Sequence, residues 1–203
     1  MEIKDWKLEV TNIKISVKLP FSVSLSFVED RIKSLQSTVF NINCSRKNSN
    51  ILTIRYNNFT YILFKSSSKV PLGEIISFQH CNITKIKAGV DIPKAIQSLF
   101  FVVDQPEILL DYSIDNYSCC GDIFKKIDIE SLFVHELQIV CDYNEEDFPA
   151  VIIHSPIEYK KKSTNLCCLL YRTGRFVLVG GKDLEEIEEF FKWVFEIAKR
   201  YIK

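Results

Sequence analysis

The chain has 203 residues, 47% of them hydrophobic, with 26 Lys and Arg balanced by 26 Asp and Glu. That length buries a sizeable core in one domain or two small ones, and the charge balance excludes a global electrostatic pull toward nucleic acid, leaving local basic patches and apolar contact as the routes to it. The charged start MEIKDWKLEV lacks the apolar centre of a secretion signal, and no run approaches the roughly 18 apolar residues of a membrane span, so a soluble chain is expected.

In chain order, LEVTNIKISVKL (residues 8–19) alternates and predicts a strand, and SLSFVEDRIKSL (24–35) predicts a short amphipathic helix. Three β-rich runs follow, NILTIRY (50–56), FTYILF (59–64) and CNITKI (81–86), and then GVDIPKAIQSLFF (89–101), a glycine leading into a helix. The same order then recurs. ILLDYSIDNYSC (108–119) is a strand, IDIESLFVHEL (127–137) a helix, and AVIIH (150–154), LCCLLY (166–171) and FVLV (176–179) are strands before GGKDLEEIEEFFKWVFEIAKRY (180–201). Strand, helix, strands, helix occurring twice predicts an internal repeat, residues 1–104 and 105–203, that together make one pseudo-twofold domain.

The last helix carries Leu184, Ile187, Phe190, Phe191, Val194, Ile197, Ala198 and Tyr201 at helical spacing. Asp183 is placed to cap it with Glu186 three residues on, and the acids of the first turn are expected on a solvated face. The strands before it are less ordinary. In LCCLLY, Cys167, Leu169 and Tyr171 share one face and Cys168 and Leu170 the other, while in FVLV Val177 and Val179 alternate with Phe176 and Leu178. Both faces are apolar, so the face without helices must meet another sheet, a greasy ligand or a nucleic-acid groove.

Catalytic and metal chemistry find little footing. The seven cysteines are odd in number and lack a C-x-x-C spacing, and Cys167 and Cys168, adjacent on a strand, point apart. They read as free thiols in a reducing compartment. His80, His135 and His154 have no neighbouring acid and nucleophile of triad character, and neither G-x-x-x-x-G-K-S/T nor G-x-G-x-x-G is present. The expectation is a protein that is not an enzyme, with no cofactor, no metal site and no catalytic residue.

The segment DFPAVIIH…LCCLLYRTGRFVLVGGKDLEEIEEFF resembles the second repeat of the TATA-box-binding protein core, with its Phe-Pro start, strand, glycine turn, strand and long helix. VTNIKISVKL and SIDNYSCCGDIF resemble the first strands of that family's two repeats, each with its Asn. The resemblance implies an α+β fold, a duplicated TATA-box-binding-protein-like saddle: a curved antiparallel sheet with helices on the convex face and DNA on the concave one. It implies a basal transcription factor that binds A·T-rich promoter DNA in the minor groove and nucleates initiation-complex assembly. Its partners would be a TFIIB-like factor and the RNA polymerase machinery, in the nucleus or in a cytoplasmic viral factory.

Carried onto matching positions, Asn12 and Asn116 are the central asparagines, Arg55 a phosphate-contacting arginine, and Phe64 the second wedge of the first repeat. Phe148 and Tyr171 are the wedge pair of the second, with Leu169, Val177 and Val179 facing the groove. An apolar sheet disfavours G·C, whose exocyclic amine it would bury unpaired, and aromatic wedges unstack base steps and bend the duplex. The sequence also departs from the pattern. The first wedge of repeat one falls near Ser49, with Phe40 as a substitute only across an insertion. His154 and Asn165 stand where the family has arginines, EYKKKST adds Lys160, Lys161 and Lys162 to a loop, and residues 66–80 form an extra segment. A module that keeps the fold for protein contacts, or closes on an apolar ligand, stays open as the alternative.

Overall fold

A computed structural model describes residues 6–38, 41–48, 51–65, 77–108, 110–136, 141–144, 146, 148–156 and 165–203. The chain divides into two compact units: an N-terminal unit, Asn12–Asp115, and a C-terminal unit formed by Met1–Thr11 with Asn116–Lys203.

The N-terminal unit is built on β1 (Lys7–Ser24), α1 (Leu25–Gln36), β2 (Asn43–Asn48), β3 (Ile51–Tyr56), β4 (Phe59–Lys65), β5 (Ser77–Ile86) and α2 (Ile92–Val103). Its antiparallel strands run in the order β2-β3-β4-β5-β1. Alternation sorts the strand side chains. Ile13, Ile15 and Val17 of β1, Leu52 and Ile54 of β3, Tyr61 and Leu63 of β4, and Cys81 and Ile83 of β5 are all buried. They share the core with Val28 and Ile32 of α1 and with Ala95, Leu99 and Val103 of α2. The buried Tyr61 hydroxyl donates to the Ala95 carbonyl at 3.2 Å, which satisfies the polar end of an otherwise apolar ring. Ser24 caps α1 by accepting from the Phe27 amide, and α2 ends on Asp104 in the left-handed region at φ 54°.

The C-terminal unit contains β6 (Tyr112–Asp122) from Asn116 on, its first residues through Asp115 belonging to the N-terminal unit, with α3 (Ile129–His135), β7 (Cys141–Asp142), β8 (Ala150–His154), β9 (Cys167–Tyr171), β10 (Arg175–Gly181) and α4 (Leu184–Ala198). Its strands are ordered β6-β10-β9-β8-β7, again antiparallel. Cys119, Cys168, Leu170, Phe176, Leu178, Val151 and Ile153 point to one face, where Ile187, Phe190, Phe191 and Val194 of α4 and Leu132 of α3 close the core. Phe191 stands at its centre, its ring 3.9 Å from that of Phe176 and 4.7 Å from that of Trp6. In both units the long first strand lies beside the fifth, and the strand-helix-four strands-helix order is the same.

The expected elements are present with shifted ends. The first strand runs on to Ser24, the strand expected over 108–119 occupies Tyr112–Asp122, and the helix expected over 127–137 occupies Ile129–His135. That helix cannot start earlier because Ile127 is held in a β-bridge to Ile202 and Asp128 serves as the cap. Residues 89–91 form a single 3-10 turn ahead of α2. Two strands escaped the pattern. β2 is NCSRKN and pairs with β3 along one edge, and β7 is two residues long. Asp183 caps α4 as expected, accepting from the Glu185 amide at 2.9 Å, but Glu186 is buried at 9% exposure rather than on the solvated face. Among the described residues no helix is long and apolar enough to cross a membrane.

Candidate nucleic-acid interface

In the C-terminal unit the side chains that alternate with the core set lie on the face away from α3 and α4. Strand register aligns Cys120, Val177, Leu169, Ile152 and Asp142 across five strands, and Val179, Cys167 and His154 in a parallel row. Cys120, Val177, Leu169, Ile152, Val179 and Cys167 are half-buried, and none carries a charge. Leu169, Val177 and Val179 therefore meet on one apolar strip. Tyr171 pairs with Ala150 at the end of that strip, and the Phe148 ring, 37% exposed, lies 6.1 Å from the Tyr171 ring. Next to it a cleft of about 580 Å³ is lined by Phe124, Tyr171, Phe176, Val177 and Cys120, with Arg175 at its side. Phe124 is 64% exposed in the left-handed region, φ 59°, with its amide held by the Asp122 carboxylate at 2.7 Å. Among the described residues of this face, Lys7 pairs with Glu9 and Arg175 with Asp122, and His154 Nε2 lies 3.0 Å from Asp142 Oδ2.

Asn116 sits at the head of this unit's β6. Its Oδ1 accepts from the Gly180 amide at 2.6 Å and its Nδ2 donates to Ser118 Oγ at 3.1 Å. Gly180 adopts φ 91°, and a Cβ there would lie 1.9 Å from the Asn165 carbonyl oxygen, so both the turn and the close approach require glycine. Asn12 is held in the same manner within the N-terminal unit. Its Oδ1 accepts from the Lys85 amide at 2.7 Å and from Thr84 Oγ1 at 3.0 Å, and Lys85 takes φ 68°. In both asparagines a backbone amide at a positive-φ residue claims the carboxamide oxygen. The amide hydrogens, which could donate to groove acceptors, are thereby separated from the acceptor end.

The helix-free face of the N-terminal unit differs in kind. Ser16, Asn82, Ile62, Thr53 and Ser45 align across five strands, and Lys18, His80, Phe64 and Ile51 form the next row. Phe64 is half-buried opposite His80, and Arg55 is exposed at the row of Thr60 and Thr84. Ser16 Oγ lies 2.6 Å from Asp115 Oδ2 and 2.9 Å from Asn82 Oδ1, and Lys14 Nζ is 3.4 Å from Asp115. This polar centre was not anticipated, because the apolar reading of LCCLLY and FVLV does not extend to this unit. Its signal was available in the alternation of NIKISVK, which sets Lys14, Ser16 and Lys18 on one face.

Ser49, Phe40, Lys160, Lys161 and Lys162 lie outside the described residues. The cysteines are free. Burial pushes the thiols of Cys119 and Cys141 up to about 11 and those of Cys81 and Cys168 higher still, which keeps them protonated and poorly nucleophilic.

Comparison with known proteins agrees with this architecture. The family model for transcription factor TFIID (or TATA-binding protein, TBP) matches residues 111–201. The TATA box-binding protein-like 2 of Takifugu rubripes is 26% identical over 195 residues, 96% of this chain and 54% of that protein. The TATA-box-binding protein of Acanthamoeba castellanii is 31% identical over 111 residues, 54% of this chain and 38% of that one. The chain thus spans about half the length, or less, of these relatives. The solved structure of Methanococcus jannaschii TBP superposes with a TM-score of 0.67 at 15% identity, covering 96% of this chain and 99% of that one. A strand-helix-four strands-helix order seen twice, a shared α+β fold and these sequence matches point one way: residues 111–201 match the TATA-box-binding protein family, and the chain is similar to TATA box-binding protein-like 2 over nearly its whole length, as a diverged relative.

Proposed function

We propose that this protein is a TATA-box-binding-protein-like basal transcription factor that binds A·T-rich promoter DNA in the minor groove through its helix-free sheet faces. The observation that carries this reading is the apolar strip of Ile152, Leu169, Val177 and Val179, ended by the Phe148–Tyr171 pair. A strip without donors or acceptors accepts the flat floor of an A·T groove and excludes the guanine amine, and the exposed Phe148 ring is free to enter a base step. Asn12 and Asn116 supply amide donors, and Arg55 and Phe64 act from the N-terminal unit. The two halves of the sequence, residues 1–104 and 105–203, are read as products of a duplication, a reading supported by the common strand order of the two units and by the matching lock on each asparagine. The helices are the surfaces for a TFIIB-like factor and the polymerase machinery, which places the action in the nucleus or in a cytoplasmic viral factory.

The cleft beside Tyr171 and Phe124 favours a second reading, an apolar-ligand or protein-contact module. A competition gel shift with A·T-rich, inverted A·T and G·C-rich duplexes at two salt concentrations separates the two. The DNA reading expects A·T-rich duplex to win with little discrimination between A·T and T·A, and a salt slope of about −3 from the described residues of the N-terminal face, where Lys14, Lys18 and Arg55 supply the cations. Indifference to base composition, or no binding, would favour the module.

A further inference from the structure

The polar centre of the N-terminal unit's open face has a proton count that fixes its orientation. Ser16 Oγ contacts both Asp115 Oδ2, at 2.6 Å, and Asn82 Oδ1, at 2.9 Å, yet a hydroxyl has one proton to give. The shorter contact is to a carboxylate, the stronger acceptor, so the proton points to Asp115. Ser16 then accepts from Asn82, which requires the carboxamide to turn its Nδ2 toward Oγ, and hydrogen-bond consistency is what assigns the two ends of an amide. The turn leaves the Asn82 carbonyl oxygen unclaimed on the half-buried face. Asp115 Oδ1 likewise makes no hydrogen bond among the described residues, and the Asp115 side chain is 27% exposed.

Two acceptors on one patch are mismatched to an A·T groove, which presents only acceptors of its own. The one donor on a minor-groove floor is the guanine 2-amino group. Resting on the minor-groove reading above, we infer that Asp115 and Asn82 form a guanine-amine subsite, so that the N-terminal unit selects a G·C pair at the step it covers while the apolar strip of the C-terminal unit selects A·T. Lys14, Lys18 and Arg55 on the same face offset the repulsion between the Asp115 carboxylate and the phosphates. A cationic peptide would also satisfy Asp115, but the surplus of lysine and arginine around it disfavours that partner.

The test replaces each A·T pair of an A·T-rich duplex in turn by G·C or by inosine·C, which lacks only the 2-amino group in the minor groove, and reads affinity for the full chain by fluorescence anisotropy. G·C should exceed inosine·C by roughly tenfold at one position or two adjacent ones, the worth of one hydrogen bond to a charged acceptor. Asp115→Ala should close that gap, and Asn82→Ala should narrow it independently. Binding of the A·T-rich duplex with inosine·C equal to or better than G·C at every position would overturn the subsite and leave the minor-groove reading standing. Failure to bind any duplex would overturn both, as would binding of an arginine-rich peptide in place of DNA.

Discussion

At the scale of single residues, two positions carry measurable consequences. Asp128 caps α3 by accepting from the Ser131 amide at 3.2 Å and meets Lys203 Nζ at 2.9 Å. The hydrogen bond from Lys203, with that from Ser131, holds its carboxyl well below the ordinary 3.8, at about 2. A depressed carboxyl contributes stability that is fully present above its unfolded value and is lost as pH falls through the folded one. The thermal midpoint should therefore fall between about pH 4 and about pH 2 more steeply in the wild type than in Asp128→Asn, and parallel curves would contradict the assignment. Gly180 and Lys85 pose the same backbone problem with opposite side chains. Gly180→Ala should lose about 2 kcal/mol or more in denaturant unfolding, since its Cβ meets the Asn165 carbonyl, whereas Lys85→Gly should stay within about 1 kcal/mol of wild type. The recurrence of Asn12 and Asn116 was legible in the sequence, but the lock on their oxygens was not. It depends on Lys85, and no residue type announces a lysine at φ 68°.

At the scale of elements, α4 is centred on an aromatic cluster in which Phe191 stacks on Phe176 and meets Trp6 edge to face. Phe191 lies between Phe176 and Trp6 and is fully buried, so Phe191→Ala should cost about 3–5 kcal/mol, read as a shift of the denaturant midpoint with unchanged slope. A loss below about 1 kcal/mol would show that the core can collapse around the gap. This helix was legible because its apolar spacing and Asp183 cap agree. β2 was not, because NCSRKN has no alternation and pairs with β3 on one side only, where hydrogen bonding rather than burial makes the strand. Glu186 was misjudged for a related reason: a charge at helical spacing says which face it occupies only when the helix's neighbours are known.

At the scale of the whole molecule, zero net charge conceals an unequal distribution. Among the described residues, the open face of the C-terminal unit is apolar with Lys7 and Arg175 each beside a carboxylate, and that of the N-terminal unit is polar and carries Lys14, Lys18 and Arg55. The overall composition hides this difference, and the repeated element order hides it too, since two units can share a strand order and a matching asparagine and still differ at most outward positions. The apolar strip and its aromatic end should therefore distort the duplex, while the cationic face should contribute the salt-sensitive share of binding. The most direct measurement is fluorescence transfer between the two ends of an A·T-rich duplex, with the wild type and with Phe148→Ala/Tyr171→Ala. Wild type should raise the transfer on binding, and the double variant should bind with that rise largely lost. A duplex that stays straight with the wild type, or bends equally with both, would contradict minor-groove binding by the Phe148–Tyr171 end of the sheet.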